Sequence, residues 1–288
     1  MKNVARLLGV CLILVIISLF AIKGWNSYFA ATSTANSDSS SNAAETETQA
    51  SKYTVNNTAL DDIQEIINKY GNTIDISVSV TDLQTGKSYH YGDSSSFTAA
   101  SVGKLVTVAT FLHEVDNGSA ALDQSVGGTT AKEEIRAMLV DSDNTAWHNM
   151  EMAVTLDAQQ AYAQTIGLTA YNAADNTMSS DDVAKLLTKL AEGKLFADQY
   201  TQLMLGYMQQ ANYRGYIVAA IPDGVTVYHK VGLLDDRVHD AAIIKKGDRS
   251  YALVIFSKTA GAYNFSKAAP LFSSITEDTL QAFFSSSN

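Results

Sequence analysis

The segment of sequence that decides the fold reads FTAASVGKL, from Phe97 to Leu105. It contains a serine and a lysine three residues apart, Ser101 and Lys104, followed by an apolar run. If that run is a helix, the two side chains share one face. A serine hydroxyl needs a base within hydrogen-bond reach to become a good nucleophile, and burial can lower the pKa of a lysine far enough for it to act as one. Because S-x-x-K is frequent by chance, its meaning depends on the motifs that follow.

Two further motifs lie downstream of this pair. The first is Ser142-Asp143-Asn144, inside a long region with helical patterning, and the second is Lys230-Val231-Gly232, at the end of a strand-like run. Alone, the first motif is typical of a turn or helix cap and the second of a sheet edge. Their order along the chain, after Ser101 and Lys104, favours one shared site over three unrelated features.

The periodicity of the apolar residues predicts a helix, two strands, a helical block, three strands and a final helix. A turn at Thr85-Gly86 leads into the second strand, which carries Tyr89 and Tyr91. The other predicted bounds are 58–70 for the first helix, 74–80 for the first strand, 101–212 for the helical block, 225–232, 238–245 and 250–258 for the last strands, and 267–284 for the final helix. This order predicts an α+β protein, with an antiparallel five-stranded sheet flanked by terminal helices and an all-helical subdomain inserted into it.

The composition excludes several classes of function. The chain of 288 residues has a formal net charge of −10, which argues against a nucleic-acid-binding protein. Its one cysteine, Cys11, lies in the N-terminal apolar run, so the folded part has neither a disulfide nor a thiolate metal cluster. The histidines are scattered and form no H-E-x-x-H pattern. We therefore expect no metal and no cofactor.

The N-terminal part of the chain has the pattern of a membrane-targeting segment. Residues 1–6 contain Lys2 and Arg6, residues 7–22 are uncharged and apolar, and residues 23–56 form a polar linker. The apolar run has the length of either a short transmembrane anchor or a signal sequence. The two positive charges predict a cytoplasmic N-terminus. Residues 57–288 are then a folded domain outside the cytoplasm, tethered to the membrane or secreted if the run is cleaved.

In order and spacing, the three motifs resemble those of the penicillin-recognising serine hydrolases, most closely the class A β-lactamases. The similarity extends to residues 221–229, which resemble the approach to that family's K-T-G strand, and to residues 238–244, which resemble its next strand. Residues 179–187 are similar to the capped helix after its omega loop. The resemblance covers the chain from Thr58 to its C-terminus and implies a β-lactamase/transpeptidase-like fold.

The resemblance also implies three catalytic residues. Ser101 would be the nucleophile that attacks a carbonyl carbon and becomes acylated. Lys104 would accept or orient the serine proton. Ser142 would relay a proton to the leaving nitrogen.

Four more residues would bind the substrate. Asn144 would hold Lys104 and the substrate amide, and Lys230 would attract a substrate carboxylate and lower the pKa of Lys104 through its charge. Gly232 ends the third motif. Leu233, just beyond it, would share an oxyanion hole with Ser101, each residue giving its backbone N–H.

The chain departs from the class A pattern in its omega loop. Those enzymes deacylate with a glutamate there, whereas the corresponding stretch here, 167–178, has no glutamate and only one carboxylate, Asp175. Asp175 is either a substitute base or a plain turn aspartate.

A second departure is Val231, which stands where the family has threonine or serine. Valine cannot donate a hydrogen bond to a substrate carboxylate. Arg237 either replaces that donor or pairs at the surface with Asp235 or Asp236.

These observations predict a membrane-tethered serine acyl-hydrolase outside the cytoplasm that acts on β-lactams or D-alanyl peptides of peptidoglycan. The missing glutamate leaves open a carboxypeptidase-like wall enzyme that penicillin acylates stably. Val231 and the short loop also leave open a non-catalytic module that binds or senses the cell wall. The sequence leaves the oligomeric state open.

Overall fold

The computed structural model describes residues 54–285, except the side chains of Ser266 and Lys267. The predicted cytoplasmic end, 1–6, the predicted anchor or signal, 7–22, and the predicted linker as far as Tyr53 lie outside the described residues. Among the helices between Thr54 and Ser285, none is both long and apolar enough to cross a membrane.

The described part of the chain contains helices and strands in the predicted order. The helices are α1 (Asn57–Tyr70), α2 (Lys104–Asp116), α3 (Ala131–Arg136), α4 (Asn144–Val154), α5 (Leu156–Thr165), α6 (Ser180–Ala191), α7 (Asp198–Gln209) and α8 (Phe265–Phe284). The strands are β1 (Asp75–Asp82), β2 (Ser88–Gly92), β3 (Phe97–Thr98), β4 (Ser125–Val126), β5 (Thr129–Thr130), β6 (Thr177–Met178), β7 (Thr226–Leu234), β8 (Arg237–Lys246) and β9 (Arg249–Lys258). Tight 3₁₀ turns cover Ala100–Gly103 and Ile217–Ala220, and a single π-helical turn covers Ala137–Asp141.

The main sheet confirms the predicted α+β architecture. Five strands pair in the order β2-β1-β9-β8-β7, and every pair is antiparallel. Successive side chains of a strand point to opposite faces, so each strand supplies two cores. On β9, Val254 and Phe256 pack with the inserted helices, whereas Leu253 and Ile255 pack with the terminal helices α1 and α8. The strand β7 lies at one edge of this sheet.

The helical block differs from the prediction in one respect that matters for the site. It contains three unpredicted strands: β4 and β5 pair with each other, and β6 pairs with β3, which lies just before the block. Strands of two residues carry no readable period, so pattern analysis cannot find them. The β3–β6 ribbon pairs Phe97 with Met178 and Thr98 with Thr177. It therefore places the end of the loop 167–178 beside the segment that leads into Ser101.

Candidate active site

Ser101 lies in the tight turn Ala100–Gly103, immediately before α2, and its side chain is partly exposed. Lys104 begins α2 and is fully buried, and its Nζ is 2.9 Å from the Ser101 Oγ. The residue before the serine, Ala100, has a φ of +50°, a region that costs a non-glycine residue free energy. The strained turn presents the hydroxyl to solvent while keeping it against the lysine.

The oxygen contacts of the Lys104 amine accommodate both its charged and its neutral form. Nζ also lies 2.7 Å from the Ser142 carbonyl oxygen and 2.7 Å from Asn144 Oδ1. A neutral amine has two N–H groups to donate and one lone pair to accept with. It can thus donate to the Ser142 and Asn144 oxygens and accept the Ser101 proton.

Burial lowers the pKa of Lys104 to about 8, although the negative charges of Asp143 and Glu151 act to raise it. Burial, which the sequence suggested together with the charge of Lys230, is therefore the largest cause of this shift. A pKa near 8 leaves a substantial neutral fraction at physiological pH.

The Ser142-Asp143-Asn144 motif is both a helix cap and part of the site. Asp143 caps α4 by accepting the Ala146 N–H at 2.8 Å. Ser142 has a left-handed φ of +58°, which turns the chain from the helical turn Ala137–Asp141 into α4. The cap leaves the Ser142 carbonyl and the Asn144 side chain free to contact Lys104.

Lys230, on β7, also contacts Ser142. It is 2% exposed, and its Nζ lies 2.8 Å from Ser142 Oγ and 2.9 Å from the Val231 carbonyl oxygen. Burial and the charge of Lys104 lower the pKa of Lys230 to about 7, while Asp240 opposes the shift. The Ser142 hydroxyl thus lies between two amines, since Lys104 Nζ is 3.4 Å from the same oxygen.

Gly232 is the point where the edge strand β7 meets the turn Ala100–Gly103, named the nucleophile turn below after the role predicted for Ser101. A Cβ built on Gly232 would lie 2.8 Å from the Ala99 carbonyl oxygen and 3.2 Å from the Ser101 nitrogen. Only glycine permits this approach. Leu233 follows on β7, half-buried and paired with Val238. The backbone of Gly232 therefore lies against the Ser101 N–H, beside the region where the sequence predicts the oxyanion hole.

Two of the open alternatives have a definite geometry. Asp175 is exposed, and it forms a local turn with Asn172, whose Nδ2 donates to Asp175 Oδ2 at 3.0 Å. The Asp175 N–H donates to Asn172 Oδ1 at 3.1 Å. Arg237 makes a two-pronged pair with Asp236, at 2.6 and 2.7 Å. Asp175 is therefore arranged as a turn aspartate, and Arg237 is paired with Asp236. In each case this is the simpler of the two interpretations that the sequence left open.

Asn176, which no sequence motif singled out, joins the loop 167–178 to the nucleophile turn. Asn176 Nδ2 donates to the Ala100 carbonyl at 3.1 Å, and the Asn176 carbonyl accepts the Ala99 N–H at 2.8 Å. Its Oδ1 fills the space beside Gly103, only 2.1 Å from where a Cβ would be. The sequence signal that could have identified Asn176 is its residue type, because asparagine tolerates the left-handed backbone region, and here its φ is +47°.

Trp147 was also missed, because an aromatic residue in a helix is usually a core residue. The Lys104 Nζ lies 5.0 Å from the centre of its ring, and the indole Nε1 donates to Thr107 Oγ1 at 3.0 Å. The negative face of the ring favours the ammonium form that Lys104 takes once it has accepted the Ser101 proton. Asn144 and Trp147 are three residues apart, so one face of α4 supplies both contacts.

Comparisons with known proteins agree with this fold. A sequence profile of the β-lactamase enzyme family matches residues 58–283. No match was found among the curated proteins. Among solved structures, that of PBP-A aligns with a TM-score of 0.71 at 22% identity, covering 78% of this chain and 95% of that chain.

Two β-lactamases have similar folds. The enzyme from Sphaerobacter thermophilus DSM 20745 aligns with a TM-score of 0.69 at 19% identity, over 76% of this chain and 96% of that one. The enzyme from Chitinophaga pinensis DSM 2588 aligns with a TM-score of 0.72 at 18% identity, over 78% of this chain and 99% of that one. The profile match covers most of the chain, and it confirms the resemblance seen in the motifs. The chain belongs to the β-lactamase enzyme family.

Proposed function

We propose that this protein is a serine acyl-hydrolase that reacts with β-lactams or D-alanyl-peptide amides through an acyl-enzyme on Ser101, and that this acyl-enzyme is hydrolysed slowly. The observation that carries the proposal is the contact of a buried Lys104 amine with the Ser101 hydroxyl at 2.9 Å. A nucleophile in contact with a buried base of lowered pKa is the arrangement required for covalent acyl transfer.

In the acylation step, Ser101 Oγ attacks the carbonyl carbon and its proton moves to the neutral Lys104 Nζ. The tetrahedral intermediate collapses as the C–N bond breaks, and the leaving nitrogen takes the proton of the Ser142 hydroxyl. A second proton from Lys104 or Lys230, which both contact Ser142 Oγ, restores that hydroxyl. Every proton in this sequence thus has a donor within the site.

Slow hydrolysis follows from the chemistry of the loop 167–178. Deacylation needs a base that activates water, and the only carboxylate in the loop, Asp175, is exposed and bound to Asn172. Loss of one general base costs about 10²–10⁴-fold in rate. We infer that the acyl-enzyme persists for longer than in an enzyme that has such a base.

A carboxylate-bearing substrate suits the charge of the site. Lys230 is a buried amine with only oxygen partners, Ser142 Oγ and the Val231 carbonyl, among the contacts of its Nζ. A substrate carboxylate would stabilise its charged form. A mutant of PBP-A, 22% identical to this chain, has been solved as an acyl-enzyme with penicillin G. Both β-lactams and D-alanyl peptides carry a carboxylate close to the amide that reacts.

We propose further that the domain acts outside the cytoplasm, at the membrane. The basis is the sequence pattern of Lys2 and Arg6 before the apolar residues 7–22. In a bacterial cell, protease added to spheroplasts should digest the domain while leaving cytoplasmic proteins intact. Protection of the domain until the membrane is lysed would contradict this location.

The proposal is tested by the intact mass of the full-length chain over time with penicillin G, beside Ser101→Ala. We expect a persistent adduct equal to the mass of the drug on the wild type and none on Ser101→Ala. Asp175→Asn is the matched test of the loop carboxylate, and its adduct should decay at the wild-type rate. Rapid loss of drug with only a transient adduct would show efficient deacylation. The absence of both adduct and drug loss would favour the non-catalytic wall-binding module.

The pH dependence of the acylation rate should reflect the pKa values of Lys104 and Lys230. Lys104 acts as a base only when neutral, and its pKa is about 8, whereas Lys230 binds a carboxylate only when charged, and its pKa is about 7. The second-order rate constant should therefore rise and then fall, with a narrow maximum between these values. Lys230→Arg keeps a positive charge at all relevant pH values, so it should remove the falling limb. A flat profile between about pH 6 and pH 9 would contradict both assignments.

A further inference from the structure

His239 is a fully buried histidine on β8 that contacts the segment leading into the nucleophile. Its Nε2 lies 3.0 Å from the carbonyl oxygen of Thr98, the residue that ends β3. The ring stacks on Phe256 with centroids 4.2 Å apart and meets the edge of Phe97 at 6.0 Å. The two aromatic contacts and the hydrogen bond fix the ring in one orientation.

The hydrogen bonds of His239 define one tautomer. The Ser257 N–H lies 3.2 Å from Nδ1, which can accept it. The Val238 carbonyl oxygen also lies 2.8 Å from Nδ1, and it accepts the Ser257 hydroxyl at 2.8 Å. Burial lowers the pKa of His239 to about 4, so the ring is neutral at physiological pH. A neutral ring has one N–H. Nε2 faces an acceptor, the Thr98 carbonyl oxygen, whereas Nδ1 has a donor in the Ser257 N–H, so the tautomer that satisfies both nitrogens carries its proton on Nε2.

Gly232, the partner of His239 on the neighbouring strand β7, contacts the nucleophile turn directly. In the β7–β8 register His239 pairs with Gly232, whose backbone packs against Ala99 and the Ser101 nitrogen. The His239 side chain on β8 therefore binds Thr98, three residues before Ser101, and the backbone of β7 at Gly232 contacts Ser101 itself. Together they set how deeply the nucleophile turn sits against the sheet.

We propose that His239 is a positioning residue for acylation, because its Nε2–H holds the Thr98 carbonyl and so places Ser101 against β7. This inference rests on the proposed function, in which the Ser101 N–H must face the developing oxyanion. A displacement of about 1 Å at a reacting group can cost 10²-fold in rate. His239 touches no reacting atom, and its effect passes through the backbone from Thr98 to Ser101.

The test compares three variants in the full-length chain. His239→Phe keeps an aromatic ring and removes the donor. His239→Gln keeps an N–H donor near the position of Nε2, and His239→Asn is one methylene too short to place it there. His113→Phe is the matched control, because His113 is a half-buried histidine that stacks on Tyr162 with centroids 4.7 Å apart, in the helical subdomain.

Two measurements are made on each folded variant. The first is the rate constant of labelling by a fluorescent penicillin at saturating probe, separated from the probe's initial binding constant. The second is hydrogen exchange of the backbone amides from Phe97 to Gly103. We expect His239→Phe and His239→Asn to label about 10²-fold more slowly with faster exchange in this segment, and His239→Gln and His113→Phe to stay near the wild type in both.

Each outcome decides the inference. Equal labelling rates and equal local exchange in all variants would overturn it, even if His239→Phe had a lower Tm, since that result shows a role in stability alone. If His239→Phe does not fold, the difference between the Gln and Asn variants decides. If the wild type does not react with penicillin, the proposed function fails, and exchange in 97–103 alone decides whether His239 holds the turn.

Discussion

Replacing Lys104 with methionine is expected to lower the rate of acylation by penicillin by about 10²–10⁴-fold, the usual contribution of one general base. Methionine has a similar length and volume, but it cannot accept the Ser101 proton. The site should remain assembled, because Asn144 and Ser142 keep their places at the start of α4. The measurement is the labelling rate of the full-length chain by a fluorescent penicillin, with Tm recorded beside it.

The control for this variant is Lys69→Met. Lys69 is an exposed lysine of α1, a terminal helix on the face of the sheet opposite to the helical subdomain. The Lys69→Met substitution removes the same charge from the protein without touching the site, and the labelling rate of this variant should equal that of the wild type. Acylation of Lys104→Met at the wild-type rate would show that another group takes the Ser101 proton and would remove Lys104 from the mechanism.

Replacing Gly232 with alanine is expected to have the second large effect, about 10²-fold on the acylation rate. The added Cβ would lie 2.8 Å from the Ala99 carbonyl oxygen and 3.2 Å from the Ser101 nitrogen, both backbone atoms that can move only by displacing the turn. Overpacking of this kind also lowers the free energy of unfolding, by about 1–3 kcal/mol. Labelling at saturating penicillin and chemical denaturation measure the two effects separately.

Gly206→Ala is the matched control for the second prediction. Gly206 lies in α7, and nothing is within 4 Å of a Cβ built on it. Alanine there should raise the free energy of unfolding by roughly 0.5–1 kcal/mol, because it restricts the unfolded chain, and should leave labelling unchanged. If Gly232→Ala labelled at the wild-type rate, the backbone of β7 would not set the position of Ser101.

Local patterns in the sequence determined the secondary structure and the candidate residues. The pattern of apolar residues predicted the bounds of β1, β7, β8 and β9 to within two residues, since the period of a strand is a property of neighbouring residues. The spacing of Ser101 and Lys104 likewise predicted a contact within one turn of chain, which is 2.9 Å in the structure. For these features the physical cause lies within a few residues of each position.

Contacts between distant segments were decided only by the tertiary structure. Lys230 meets Ser142 across 88 residues of chain, and His239 meets Thr98 across 141. These contacts depend on strand register and on how the helical subdomain packs on the sheet, which no local pattern encodes. The same holds for the lowered pKa of Lys104, which results mainly from burial under elements far away in sequence. The sequence by itself determined which residues could perform acyl transfer, and packing decided their protonation and the depth at which Ser101 meets β7.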